Sequence, residues 1–183
     1  MTRLAVQCLL AAGAISAAWS VSGQTPPGVA EAARYEGLHA AAYSGQAAVV
    51  KGLLERGAPI DARDLHGRAP LHVATFQRQH ESIRMLVQAG ADLNALENDR
   101  YDAVTIAAVA NDEETLRLLL SLGASAALIT SRYDGTALIA AAHLGHAGVV
   151  RQLIAAGAPL DHVNNLRWTR GVAHWSRLGE KGM

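Results

Sequence analysis

An apolar residue followed 19 positions later by a Gly-Ala pair occurs four times in this chain, in fixed phase. Leu38 leads to Gly57-Ala58, Leu71 to Gly90-Ala91, Val104 to Gly123-Ala124 and Leu138 to Gly157-Ala158; the openings lie 33, 33 and 34 residues apart. A period of this length marks a stack of small units, each too small to bury its own apolar face. It rules out most single-core folds before any residue is considered for function.

Each copy divides into the same parts. A short first helix is predicted over residues 38–43, 70–76, 103–110 and 137–144, and a second over 47–56, 80–89, 112–122 and 147–156. Apolar residues of the second helices recur at helical spacing, as in Val49, Val50, Leu53 and Leu54. Between the helices stands a residue suited to positive φ: Gly45, Asn111 and Gly145, with Arg78 as the exception and the expected weak point. Gly57, Gly90, Gly123 and Gly157 sit where a glycine ends a helix. The polar stretches between copies, such as residues 61–68, carry the Asp, Asn and Gly of tight turns.

Composition supports helices: half the residues are apolar, yet only 4% are aromatic, and alanine is abundant. Alanine favours helix and lets backbones approach closely. Formal net charge is zero, with 16 basic and 16 acidic residues, so the basic footprint of a nucleic-acid binder is missing.

The first 23 residues read as an address. Arg3 precedes an apolar, uncharged run over residues 4–18, and small residues follow at Ser20, Ser22 and Gly23. That is the pattern of a secretory signal peptide cleaved after about Gly23, which predicts a periplasmic or secreted protein. The run is shorter than the ~20 residues of a membrane span. Cys8, the one cysteine, lies inside it, leaving a mature chain without disulfides. Residues 24–36, with Pro26-Pro27, are expected to be a linker and N-terminal cap.

Several stretches resemble the ankyrin repeat. Asp64-Leu-His-Gly-Arg-Ala-Pro-Leu-His-Val-Ala74 is close to that family's signature, with Ala69 in place of its threonine. Residues 141–154 resemble its helix-turn-helix segment and residues 89–94 its exit. The likeness runs over about residues 37–169. It implies an all-α solenoid of about four helix-turn-helix units and the start of a fifth, with loops projecting as β-hairpin fingers. It also implies a non-catalytic module without cofactors, a monomer that binds another protein through its finger tips and concave face.

There are departures. Arg100 stands where the finger-turn glycine belongs, and the fourth copy has one extra residue before Thr136. A fifth copy begins after Asn164 and then fails, because Gly171 occupies the opening apolar slot. Residues 170–183 form an irregular tail that either covers the last copy, leaves it to a partner, or reflects truncation.

The candidate chemistry is thin. His143 and His146 are three apart and define the rival reading, a small metal-binding protein or hydrolase. Zinc needs three or four convergent ligands, and the turn falls beside this pair, so a structural role is favoured. His39 and His72 occupy the family's structural histidine slot. No serine sits on a nucleophile elbow, and no phosphate-cradling glycine loop is present. Asp112, Glu113 and Glu114 open a helix, where the dipole favours them.

The candidate partner contacts are therefore surface residues that differ between copies: Tyr43, Leu65, His66, Arg68, Phe76, Gln77, Asn98, Asp99, Tyr101, Arg132, Tyr133, His143 and Trp168. The aromatic residues and arginine among them are the types enriched in binding hot spots. Tyr101 in particular is expected to bind without supporting the fold.

Overall fold

The computed structural model describes residues 24–165. Among them are nine helices, and no strand longer than an isolated bridge. A one-turn helix, α1 (Val29–Ala32), precedes four helix pairs: α2 (Gly37–Tyr43) with α3 (Ala47–Glu55), α4 (Pro70–Phe76) with α5 (His80–Gln88), α6 (Ala103–Val109) with α7 (Glu113–Ser121), and α8 (Ala137–Leu144) with α9 (Ala147–Ala155). The repeat period thus gives four units, and each element predicted from it is present. The second helices end one residue earlier than the apolar pattern suggested, because Arg56, Ala89, Leu122 and Ala156 serve as C-caps.

The turn between paired helices is the same in every unit. Gly45, Arg78, Asn111 and Gly145 all take positive φ, at 69°, 56°, 52° and 76°. The next amide then reaches back to close the helix: Gln46 N to Ala41 O at 3.0 Å, Gln79 N to Ala74 O at 2.9 Å, Asp112 N to Ala107 O at 3.0 Å and His146 N to Ala141 O at 2.9 Å. Arg78 bears a left-handed backbone that glycine adopts freely. Its Nε lies 3.2 Å from Asp112 Oδ2 on the next unit, a contact glycine could not make.

The units stack by first helices, α2 on α4 on α6 on α8, and by second helices, α3 on α5 and α7 on α9. Corresponding residues fill the core in each copy: Leu38, Leu71, Val104 and Leu138; Ala41, Ala74, Ala107 and Ala141; Val50, Ile83, Leu116 and Val150. Alanine in the second set lets consecutive first helices approach closely, while the branched residues fill the space behind them. Phe76 is half-buried at the last turn of α4 and is not part of this core.

The projecting fingers differ from the expected β-hairpins. Their closures are short: Asp64 N to Arg68 O at 3.1 Å, Glu97 N to Tyr101 O at 3.0 Å, and Thr130 N to Gly135 O at 2.7 Å, the last being the isolated bridge. A side chain at the start of each loop replaces further ladder bonds. Asp64 accepts from His66 N and Arg68 N, Glu97 from Asp99 N and Tyr101 N, and Ser131 from Tyr133 N and Gly135 N. Successive fingers are tied by one backbone bond each: Asn98 N to His66 O, Ser131 N to Arg100 O, and Asn165 N to Tyr133 O, at 2.8–3.1 Å.

Helix α1 is separate from α2 and does not run into it. Glu36 is extended and Gly37 has φ 54°, so the chain breaks between them. Tyr35 instead stacks on His39 and meets Tyr43 edge-on, with ring centroids 5.4 and 6.2 Å away.

Candidate interaction surface

His39, His72, His80 and His146 are structural braces. His72 Nδ1 accepts from Ala69 N at 3.0 Å, and its Nε2–H donates to Ala95 O at 2.9 Å. Ala69 cannot cap the helix itself, so His72 does so from the third helical position. Burial lowers the imidazole pKa to about 4, which keeps Nδ1 an acceptor. His39 Nε2 bonds Arg68 O, His80 Nε2 bonds Thr115 Oγ1, and His146 Nδ1 bonds Ala108 O, each reaching a neighbouring unit. That bond holds His146 against the neighbouring unit and uses one of its two ring nitrogens. Among the described residues no group of three or more His, Cys, Asp or Glu could hold a metal ion.

The third and fourth units meet in a cleft on the first-helix side. Its walls are Tyr101, Thr105 and Val109 from one unit, with Tyr133, Ile139 and Leu144 from the next. The cavity volume is about 50 Å³. Small-molecule sites usually enclose ~300 Å³ or more, so this cleft suits an inserted side chain rather than a cofactor. Thr105 and Thr130 share a 3.0 Å hydroxyl bond at its base.

The expected contact residues divide into four groups. Leu65 is 90% exposed at a finger tip, His66 and Asn98 are exposed on fingers, Tyr133 is 45% exposed, and His143 is exposed at the cleft mouth. Tyr43, Phe76, Gln77 and Asp99 are half-buried, and Arg132 is exposed but ion-paired to Asp99 across adjacent fingers. Arg100 and Asp134 form a parallel pair at 3.2 Å. Trp168 lies outside the described residues, as do residues 1–23 and the rest of 166–183.

Two assignments need correction. Arg68 is 1% exposed, not a surface contact. Its Nε bonds Asp64 Oδ2 at 2.7 Å, its Nη1 bonds Thr25 O at 2.7 Å, and its Nη2 bonds Tyr35 Oη at 3.0 Å and the Glu31 carboxylate. Tyr101 is 5% exposed and forms an inner wall of the cleft, so it supports packing as well as shape. Burial pushes its phenol pKa up, and the nearby Asp99 and Glu97 carboxylates add to that.

Residues 24–35 form the part of this surface that sequence reading missed. Tyr35 Oη donates to Asp64 Oδ2 at 2.7 Å, completing a Tyr35–Asp64–Arg68–Glu31 network. Burial raises the Asp64 carboxyl pKa, but the Tyr35 hydrogen bond and the Arg68 bonds outweigh it, and the pKa ends below the usual range. Tyr35, Arg68 and Tyr101 are spaced 33 apart, and that row was the one available signal.

Repeated helix pairs, close-packed first helices and a cleft sized for a side chain define a helical-repeat scaffold. The family model for ankyrin repeats in three copies matches residues 4–97, and that for a single ankyrin repeat matches residues 133–165. Together these span more than half of the chain, which belongs to the ankyrin repeat family. The unmatched stretch between them holds the third unit, whose finger carries Arg100 in place of glycine. A search of curated proteins found no match. Ankyrin repeats generally mediate protein–protein interaction and are generally non-catalytic.

Proposed function

We propose that this chain is an exported scaffold whose concave face binds a partner protein, with the cleft between α6 and α8 receiving an anchoring side chain. The observation that carries this reading is the cleft. It is lined by Tyr101, Val109, Tyr133, Ile139 and Leu144, has a volume of about 50 Å³ with Gln24 at its wall, and lies beside exposed fingers. Aromatic and aliphatic walls around one small hollow are what a buried hot-spot residue requires. Inhibition, protection or adaptor use of the partner would each follow from occupying this face.

A photo-crosslinker at position 133 tests it. The full chain should capture one protein reproducibly, and Leu144→Asp should abolish capture without shifting the melting temperature, since Leu144 is exposed. Capture indifferent to Leu144→Asp would refute the cleft. Export rests on the uncharged run over residues 4–18. Because the first family match also begins at residue 4, N-terminal sequencing of the mature protein is the direct test. A start at or near Gln24 supports export, and a retained Met1 refutes it.

A further inference from the structure

The finger around Arg68 and the cleft of the third and fourth units already hold a peptide, and that peptide belongs to this chain. From Tyr35, beside the finger of residues 61–68, the backbone runs back toward the N-terminus across several units. Glu31 sits on Arg68, and the Thr25 carbonyl sits on Arg68 Nη1. Pro27 is buried, and Gln24 lines the cleft of the third and fourth units together with Tyr101, Tyr133 and Asn164. Residues 24–31 therefore occupy the same surface on which a partner would dock.

This strap is attached chiefly by polar groups. Thr25, Pro26, Gly28 and Val29 are exposed, Val29 at 84%, and α1 contributes no buried residue. Segments with few buried apolar contacts open at low cost. At its far end Gln24 Nε2 is buried with no hydrogen-bond partner among the described residues. Beneath the strap, Arg68 keeps two partners that are not part of it: its Nε donates to Asp64 Oδ2 and its Nη2 to Tyr35 Oη. Lifting the strap would leave Nη1 and part of Nη2 pointing outward, donors matched to a carbonyl and a carboxylate.

We infer that residues 24–31 are a displaceable stand-in for the partner, which docks as an acidic peptide segment and places its own carboxylate on Arg68 where Glu31 now sits. This rests on the reading that the concave face binds protein. The strap and the partner then compete for one site, and the observed affinity is reduced by the fraction of time the strap is closed.

The test uses a fluorescein-labelled synthetic peptide with the sequence of residues 24–36, measured by fluorescence anisotropy against full-length chains. Wild type should bind it weakly. Glu31→Arg, which sets like charges face to face, should bind it at least tenfold more tightly, and a peptide with arginine in place of Glu31 should not bind. Pro27→Asp loosens the strap without touching the arginine network and serves if Glu31→Arg does not fold, as judged by circular dichroism. Equal affinity of wild type and a folded strap variant, or no binding by either folded variant, overturns the inference. Stronger peptide uptake without any crosslinked partner would retain the strap and refute the proposed function. Capture of a partner with no difference in peptide binding would do the reverse.

Discussion

His72 makes the stability of this protein depend on pH in a way that can be calculated. The ring is buried, its Nδ1 accepts from Ala69 N, and its pKa is lowered to about 4 from 6.5. A proton on Nδ1 would face the Ala69 N–H and destroy the cap. Because the folded value is the depressed one, the stabilisation is fully present above pH 6.5 and is lost as pH falls toward about 4. Between pH 7 and pH 5 the unfolded chain takes up a proton that the native chain refuses, and the difference integrates to about 2 kcal/mol. For a domain of this size that is a fall in melting temperature of about 4–8 °C. The assay is thermal melting by circular dichroism at the two pH values, for wild type and for His72→Gln. The glutamine retains an acceptor and a donor but does not titrate. It should be less stable at pH 7 and should show a pH slope about 2 kcal/mol smaller than wild type. Parallel slopes for the two proteins would refute the assignment of a neutral, buried His72.

Leu86, fully buried in α5, should cost about 2–5 kcal/mol as Leu86→Ala, read as a lower denaturation midpoint; a neutral result would contradict the stack. Tyr101→Ala should lower both the melting temperature and partner capture, since the ring is wall and core together; the fold cost is at least ~2 kcal/mol. Asp102 caps α6 while buried, its carboxyl pKa raised by that burial, and one of its carboxylate oxygens has no hydrogen-bond partner among the described residues. Asp102→Thr, which copies the fourth unit's cap, should stabilise the protein by about 1 kcal/mol at pH 7. The gain should shrink in acid, because a raised carboxyl pKa means that wild type is relatively stabilised as the pH falls through it. A gain independent of pH would mean that Asp102 does not titrate as described.

Much of this architecture was legible in the residue order. A helix pair is a local object, and its turn is set by whether one residue can hold positive φ. Gly45, Asn111 and Gly145 announce that position, and the fixed spacing from Leu38, Leu71, Val104 and Leu138 carries the register into each unit. Arg78 looked like a fault in the pattern, yet it takes the same backbone conformation as its three counterparts, held in part by Asp112 one unit away. The fingers were less legible. Their form depends on carboxylates and a hydroxyl that replace strand pairing, and Asp64, Glu97 and Ser131 do not look alike in sequence.

By itself the sequence determined the number of units, their helix boundaries to within a residue or so, and which face of each helix is apolar. Those properties follow from short-range periodicity and repeat at every copy. Tertiary structure alone decided that Arg68 is enclosed and Tyr101 forms an inner wall. The partners of Arg68 at Thr25, Glu31 and Tyr35 are more than thirty residues distant and occur once. A contact between two non-repeated, sequence-distant segments leaves no period to read. Its energy comes from charges desolvated against each other, which only the folded path of the chain brings together.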